Sequence, residues 1–145
     1  MSIPRMTVVT LGVADLESAT RFYRTVFGRG PNPNYQEISF FDLPGTWLSL
    51  YPRDKLAADI SAQLAPTGSG FCGITLAYNA RSRDEVRAVF AAAESAGATI
   101  AKPPQDTFWG GYSGYFRDPD GYYWEVVWGA MFDFAPDGAL RFKAP

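Results

Sequence analysis

The chain has 145 residues, a formal net charge of -2 and a single cysteine, Cys72. That length allows a sizeable core, the lone thiol excludes an internal disulfide and suits a reducing cytoplasm, and the near-neutral charge gives no reason to expect nucleic acid or an anionic membrane. Histidine is absent altogether, which removes the commonest general base and excludes Ser-His-Asp and Cys-His nucleophilic sites.

Met6 to Val13 predicts a strand, and Asp15 stands where a helix cap is needed. From Leu16 to Phe27 the apolar positions Leu16, Ala19, Phe22, Tyr23, Val26 and Phe27 follow helical spacing, and Gly28 closes the helix. Residues Arg29 to Asn34 predict a loop or a short edge strand, because proline is poorly tolerated in a central one. Tyr35 to Asp42 and Thr46 to Tyr51 predict a hairpin, Arg53 to Leu64 a short helix, and Ala65 to Gly70 a link. Phe71 to Tyr78 predicts another strand, and Ser82 to Ala96 a helix burying Val86, Val89, Phe90 and Ala93, ended by Gly97. A short strand, Thr99 to Lys102, stops before Pro103 and Pro104, and Gln105 to Gly111 reads as an aromatic, glycine-rich loop. Tyr112 to Arg117 and Tyr122 to Trp128 form a last hairpin around the turn Asp118-Pro119-Asp120-Gly121. The tail, Gly129 to Pro145, predicts coil with a final turn. No apolar run approaches the roughly 20 residues that a membrane helix needs.

The chain repeats itself. Phe40 to Tyr51 overlays Phe116 to Val127 without a gap, with Phe40/Phe116, Asp42/Asp118 and Gly45/Gly121 identical and Ser49 falling on Glu125. Val9-Thr10-Leu11 matches Ile74-Thr75-Leu76 upstream. Two copies of one β-α-β-β unit, about 1–64 and 70–130 with a tail, make one α+β domain with helices on one face of a mostly antiparallel sheet. Strand alternation then turns Leu48, Leu50, Trp124, Val126 and Trp128 toward the helices, and Trp47, Ser49, Tyr51, Tyr123, Glu125 and Val127 away from them.

The pattern running from Val9-Thr-Leu-Gly-Val-Ala-Asp-Leu16 with Phe22-Tyr23 to Trp109-Gly-Gly-Tyr-Ser-Gly-Tyr-Phe-Arg-Asp-Pro-Asp-Gly121 and Trp124-Glu125 resembles the vicinal oxygen chelate superfamily. That superfamily includes glyoxalases, bleomycin-resistance proteins and extradiol dioxygenases. The resemblance implies paired βαβββ modules in a cupped, mixed and mostly antiparallel sheet, and a homodimer. Its metal-dependent members use positions that map to Val8, Ser49, Gly73 and Glu125, of which only Glu125 carries a metal-binding side chain. A catalytic divalent ion wants about three protein donors, so no metal and no cofactor are expected here.

What remains is a carboxylate among aromatic residues. The candidate ligand-binding residues are Thr10, Trp47, Ser49, Tyr51, Thr75, Phe108, Trp109, Tyr112 and Glu125, with Phe108, Trp109 and Tyr112 on or beside a loop over the cavity mouth. Such a set suits a flat or apolar molecule bearing a cationic or hydrogen-bond-donating group, held as bleomycin-resistance proteins hold theirs. The alternative is a lyase, isomerase or dioxygenase-type enzyme in which Glu125 is the general base or an atypical metal ligand and Tyr123 or Tyr51 the acid. Beside both stands a structural role for Glu125, in a salt bridge with Arg117 or a hydrogen bond to Tyr or Thr. Trp109 fits equally a lid and a plug between modules, and Cys72 reads as a buried packing residue.

Overall fold

The computed structural model describes residues 6–66, 70–72 and 74–144. It forms two compact units, Met1–Cys72 and Gly73–Pro145. Three helices and mixed sheets of mostly antiparallel strands among the described residues make the fold α+β, as the repeat pattern requires.

In the first unit β1 (Val8–Val13), α1 (Leu16–Phe27), β2 (Ser39–Phe41), β3 (Trp47–Pro52) and α2 (Arg53–Ile60) follow one another. The sheet order is β1-β3-β2, with β1 parallel and β2 antiparallel to β3. Helix α1 begins where Asp15, in extended backbone, accepts a 3.1 Å bond from the Ser18 amide. Hydrogen bonding from the Ser18 side chain first, and then from its amide, holds the Asp15 carboxyl below the usual carboxylate range. The helix stops at Gly28, whose φ of 66° is a left-handed conformation that glycine adopts without a Cβ clash. Its buried residues Ala19, Phe22 and Tyr23 face the sheet, with the Tyr23 ring 6.4 Å and the Phe27 ring 5.2 Å from that of Phe41. Tyr23 and Phe41 are fully buried, each contributing about 1.5–3 kcal/mol by leaving water. Thr20 gives its one hydroxyl proton to the Leu16 carbonyl at 2.6 Å, so Ser39 must be the donor in the 2.6 Å contact between the two hydroxyls.

The second unit contains β4 (Thr75–Asn79), α3 (Arg83–Ser95), β5 (Thr99–Asp106), β6 (Gly111–Arg117), β7 (Tyr123–Gly129), β8 (Phe132–Phe134) and β9 (Leu140–Phe142). Its sheet runs β4-β7-β6-β5, parallel at β4–β7 and antiparallel elsewhere, with β8 and β9 as a separate hairpin. Ser82 caps α3 by accepting from the Glu85 amide at 3.0 Å. Val86, Phe90 and Ala93 are buried, and the Phe90 ring meets Phe116 edge-on at 6.1 Å. Phe116 in turn stacks on Trp124 at 6.1 Å and 10°.

Strand β4 begins at Thr75 rather than Phe71, and Cys72, in the segment before it, is exposed rather than buried. Pro103 and Pro104 do not end β5. It continues to Asp106 as the edge strand, where missing amide donors are tolerated, and slips register between Ile100 and Lys102 and again between Lys102 and Gln105. Gly114 makes room for that irregular backbone: a Cβ there would sit 2.5 Å from the Lys102 carbonyl oxygen and 2.8 Å from the Pro104 nitrogen. The tail is a hairpin rather than coil. Its turn at Ala135-Pro136-Asp137-Gly138 is closed by Gly138 N–H to Ala135 O at 2.8 Å and by Asp137 capping the Ala139 amide at 3.0 Å.

The repeat itself shifts. Ser49 pairs with Thr10, whereas its counterpart Glu125 pairs with Ala77. Thr10 therefore corresponds to Ala77 and Val8 to Thr75, two residues beyond the match made by Val-Thr-Leu and Ile-Thr-Leu. The helix caps Asp15 and Ser82 keep this same spacing. Gly73, aligned with Val8 in the sequence, lies outside the described residues.

Candidate functional site

Each sheet has one face against its helix and one face turned away. In the first unit the away face carries Val8, Thr10, Phe40, Trp47, Ser49 and Tyr51 by strand alternation. Thr10 Oγ1 and Ser49 Oγ lie 2.5 Å apart, and Ser49 is fully buried. Trp47 is 43% exposed and meets Phe40 edge-on at 6.3 Å, and Tyr35 also meets Phe40 edge-on, at 5.1 Å. Thr10, Trp47, Ser49 and Tyr51 thus share a face, as expected, and Tyr35 and Phe40 extend it.

In the second unit the away face is organised by the β6–β7 register. The turn is fixed by Asp118, whose buried carboxylate accepts from the amides of Asp120 at 2.9 Å and Tyr122 at 2.8 Å. Gly121, with φ of 95°, completes it. Counting back from this turn places Arg117 opposite Tyr123 and Tyr115 opposite Glu125. The parallel partner β4 adds Thr75 beside Tyr123 and Ala77 beside Glu125. Thr75, Tyr123 and Glu125 therefore do lie on one face.

Glu125 is half-buried, and Tyr115 stands opposite it in the ladder. The Tyr115 phenol is pushed above its ordinary range first by burial, then by the negative charge of Glu125 and by the hydrogen bond it gives to that carboxylate. Among the described residues Glu125 forms no salt bridge, so the expected pairing with Arg117 is not made. Tyr115 was missed in the sequence, although the register of a four-residue turn contained it.

The loop residues separate. Phe108 is fully exposed at the tip between β5 and β6. Trp109 folds back on its own hairpin: a Cβ on Gly111 would meet its ring at 2.1 Å and one on Gly129 at 3.0 Å. Gly111 and Gly129 point their vacant Cβ positions to the Glu125 face, so Trp109 lies over the end of that face, next to the buried Ser113 and Val127. Tyr112 goes the other way. It sits opposite Trp128 on the α3 side of the sheet, with the guanidinium of Arg83 5.2 Å and that of Arg87 5.1 Å from its ring centroid. Trp124 and Trp128 share that α3 side, Trp128 lying 5.1 Å from the Arg83 guanidinium.

The Val8 side chain offers no donor atom, the Ser49 hydroxyl is engaged by Thr10 and Glu125 offers one carboxylate. Among the described residues no three His, Cys, Asp or Glu side chains gather as a metal site would need. No helix is long and apolar enough to cross a membrane among the described residues.

The chain is similar to several known proteins. The metallothiol transferase FosB of Shouchella clausii is 30% identical over 126 residues, covering 85% of this chain and 79% of that protein. The structure of a glyoxalase-related enzyme from Fulvimarina pelagi is 31% identical with a TM-score of 0.85, covering 98% of this chain and 100% of that one. A glyoxalase/bleomycin resistance protein/dioxygenase family enzyme from Burkholderia phytofirmans shares the fold at a TM-score of 0.75 and 18% identity, covering 86% and 98%. With residues 5–126 also matching the family model, the chain belongs to the glyoxalase/bleomycin resistance protein/dioxygenase superfamily.

Proposed function

We propose that this protein binds a small organic molecule by its cationic or hydrogen-bond-donating end at Glu125, with flat apolar parts of the ligand held by aromatic side chains. The observation that carries this is a half-buried carboxylate in the middle of an aromatic strand, opposite Tyr115 in the ladder and with no salt bridge among the described residues. A buried charge is costly unless compensated. A single phenol donor leaves most of the carboxylate's acceptor capacity open for a ligand. No ion has a part in this proposal, because one carboxylate and an engaged hydroxyl do not make a divalent-metal site. In the same proposal the protein is a cytoplasmic homodimer.

A thermal-shift screen of aryl and alkyl amines against their neutral isosteres tests it. Amines are expected to raise the melting temperature of the wild type and to lose that effect in Glu125→Gln. Equal shifts in both proteins would remove Glu125 from the site.

A second function is favoured by the similarity to the transferase and to the glyoxalase-related enzyme. Here the protein is an enzyme, and Glu125 takes a proton from a carbon acid next to a carbonyl while Tyr115 steadies the developing oxyanion. Tyr115, bonded to Glu125, fills this role in place of Tyr123 or Tyr51. Solvent deuterium exchange into candidate carbonyl compounds, lost in Glu125→Gln, would identify it.

A further inference from the structure

We propose that the molecule taken at Glu125 is a zwitterion, its ammonium group on Glu125 and its anionic group on Arg117 and Lys102. The inference rests on the functional proposal above and adds the second half of the ligand.

The strand register places three charged side chains on one face of the second unit. Glu125 is opposite Tyr115, Lys102 is opposite the other side of Tyr115, and Arg117 is opposite Tyr123. Directly opposed residues share a face, with Cβ atoms about 4.5–5.5 Å apart and diagonal neighbours at about 7–8 Å. Arg117 is therefore a diagonal neighbour of Glu125, and Lys102 stands two strands away, roughly 10 Å at the usual strand spacing. Opposite charges at such distances commonly close into ion pairs. Elsewhere in the molecule they do: Arg29 reaches Asp42 at 2.7 Å, Arg87 reaches Asp84 at 2.7 Å and Arg141 reaches Asp133 at 3.1 Å. Among the described residues, none of Glu125, Arg117 and Lys102 makes one.

Tyr115 is the physical reason for part of this. It occupies the ladder position between Glu125 and Lys102, which keeps the carboxylate apart from the lysine. Arg117 and Lys102 are exposed, while Glu125 is half-buried. The face therefore offers one anionic position flanked by two cationic ones, each charge with its hydrogen-bonding capacity still open. An ammonium alone would satisfy the acid and be repelled by its flanks. An anion alone would gain the flanks and be repelled by the acid. A molecule with an ammonium at one end and a carboxylate several bonds away satisfies all three groups.

The test is a chemical-shift titration of the full chain with γ-aminobutyrate, butylamine and butyrate. Expected is saturable movement of the Tyr115, Arg117 and Glu125 amides by γ-aminobutyrate, with affinity about fivefold or more above butylamine, since each exposed ionic contact contributes modestly. In the double variant Arg117→Gln/Lys102→Gln, butylamine should tighten as repulsion is relieved and γ-aminobutyrate should weaken, so that the two converge within about twofold. Butylamine equal to γ-aminobutyrate on the wild type, or a preference that survives in the double variant, would overturn the zwitterion while leaving amine binding at Glu125 intact. Failure of every amine to bind overturns both proposals. So do amide shifts at this face that respond only to protein concentration, which mean that a second copy covers it.

Discussion

Gly114→Ala tests how the irregular β5 edge and the Glu125 face are held together. The added methyl would lie 2.5 Å from the Lys102 carbonyl oxygen, 2.8 Å from the Pro104 nitrogen and 2.8 Å from Phe90 Cζ. Two of these are backbone atoms of the bulged strand, so rotamer changes cannot relieve the clash, and β5 must move away from β6. Overpacking of this kind costs about 1–3 kcal/mol, and we expect about 2–3 kcal/mol because ladder bonds near Lys102 and Tyr115 are strained as well. With a urea m-value of about 2 kcal/mol/M, the midpoint should fall by about 1 M or more. Gly28→Ala is the control: nothing lies within 4 Å of the new Cβ, and only its φ of 66° is unfavourable, so about 1 kcal/mol is expected. A Gly114→Ala midpoint within the error of the wild type would refute the close approach of β5.

Other consequences follow from single contacts. Ser82→Ala removes the cap that accepts from the Glu85 amide and should cost about 1 kcal/mol by denaturation. Tyr78, which donates to Glu85 Oε1 at 2.6 Å, has its pKa raised from 10.0 to about 12, by burial first and then by that carboxylate. Its stabilisation is fully present below the ordinary tyrosine pKa and is lost as pH rises through about 12. Since Tyr78 is 40% exposed, solvent screening should reduce the effect to about 1 kcal/mol, and Tyr78→Phe should remove that part of the alkaline loss. Tyr115→Phe should leave the fold intact and raise amine affinity about threefold if an ammonium replaces the phenol as donor to Glu125, measurable by calorimetry.

What the sequence revealed depended on how local the physics was. Helix α1 was legible from end to end because Asp15, a continuous apolar stripe and Gly28 all act within a few residues. The turn at Asp118 was legible for the same reason, and with it the register that seats Glu125. The repeat was visible in the hairpins but misaligned in the first strands, where a three-residue likeness outweighed the distance to the helix cap. The β4–β7 pairing, a contact between residues far apart in the chain, shows that Thr75 stands where Val8 does. Pro103 and Pro104 read as a strand end because their tolerance depends on β5 being an edge and on Gly114 beneath them. The β8–β9 hairpin carried its own signal in Ala135-Pro136-Asp137-Gly138, a turn of the same chemistry as Asp118-Pro119-Asp120-Gly121. Its strands of three residues each were too short for alternation to mark. Tyr112 and Tyr115 were exchanged in importance: proximity to the aromatic loop favoured the first, and counting from the turn assigns the second to Glu125.

In the proposed function the Glu125 carboxylate recognises a donor group on a small molecule. Isothermal titration of benzylamine and benzyl alcohol into the wild type and Glu125→Gln tests it most directly. Benzylamine is expected to bind the wild type at least about tenfold more tightly than benzyl alcohol, and Glu125→Gln, with an unchanged fold, to abolish this preference. Equal binding of the two compounds to the wild type, or a preference unchanged in Glu125→Gln, would contradict it.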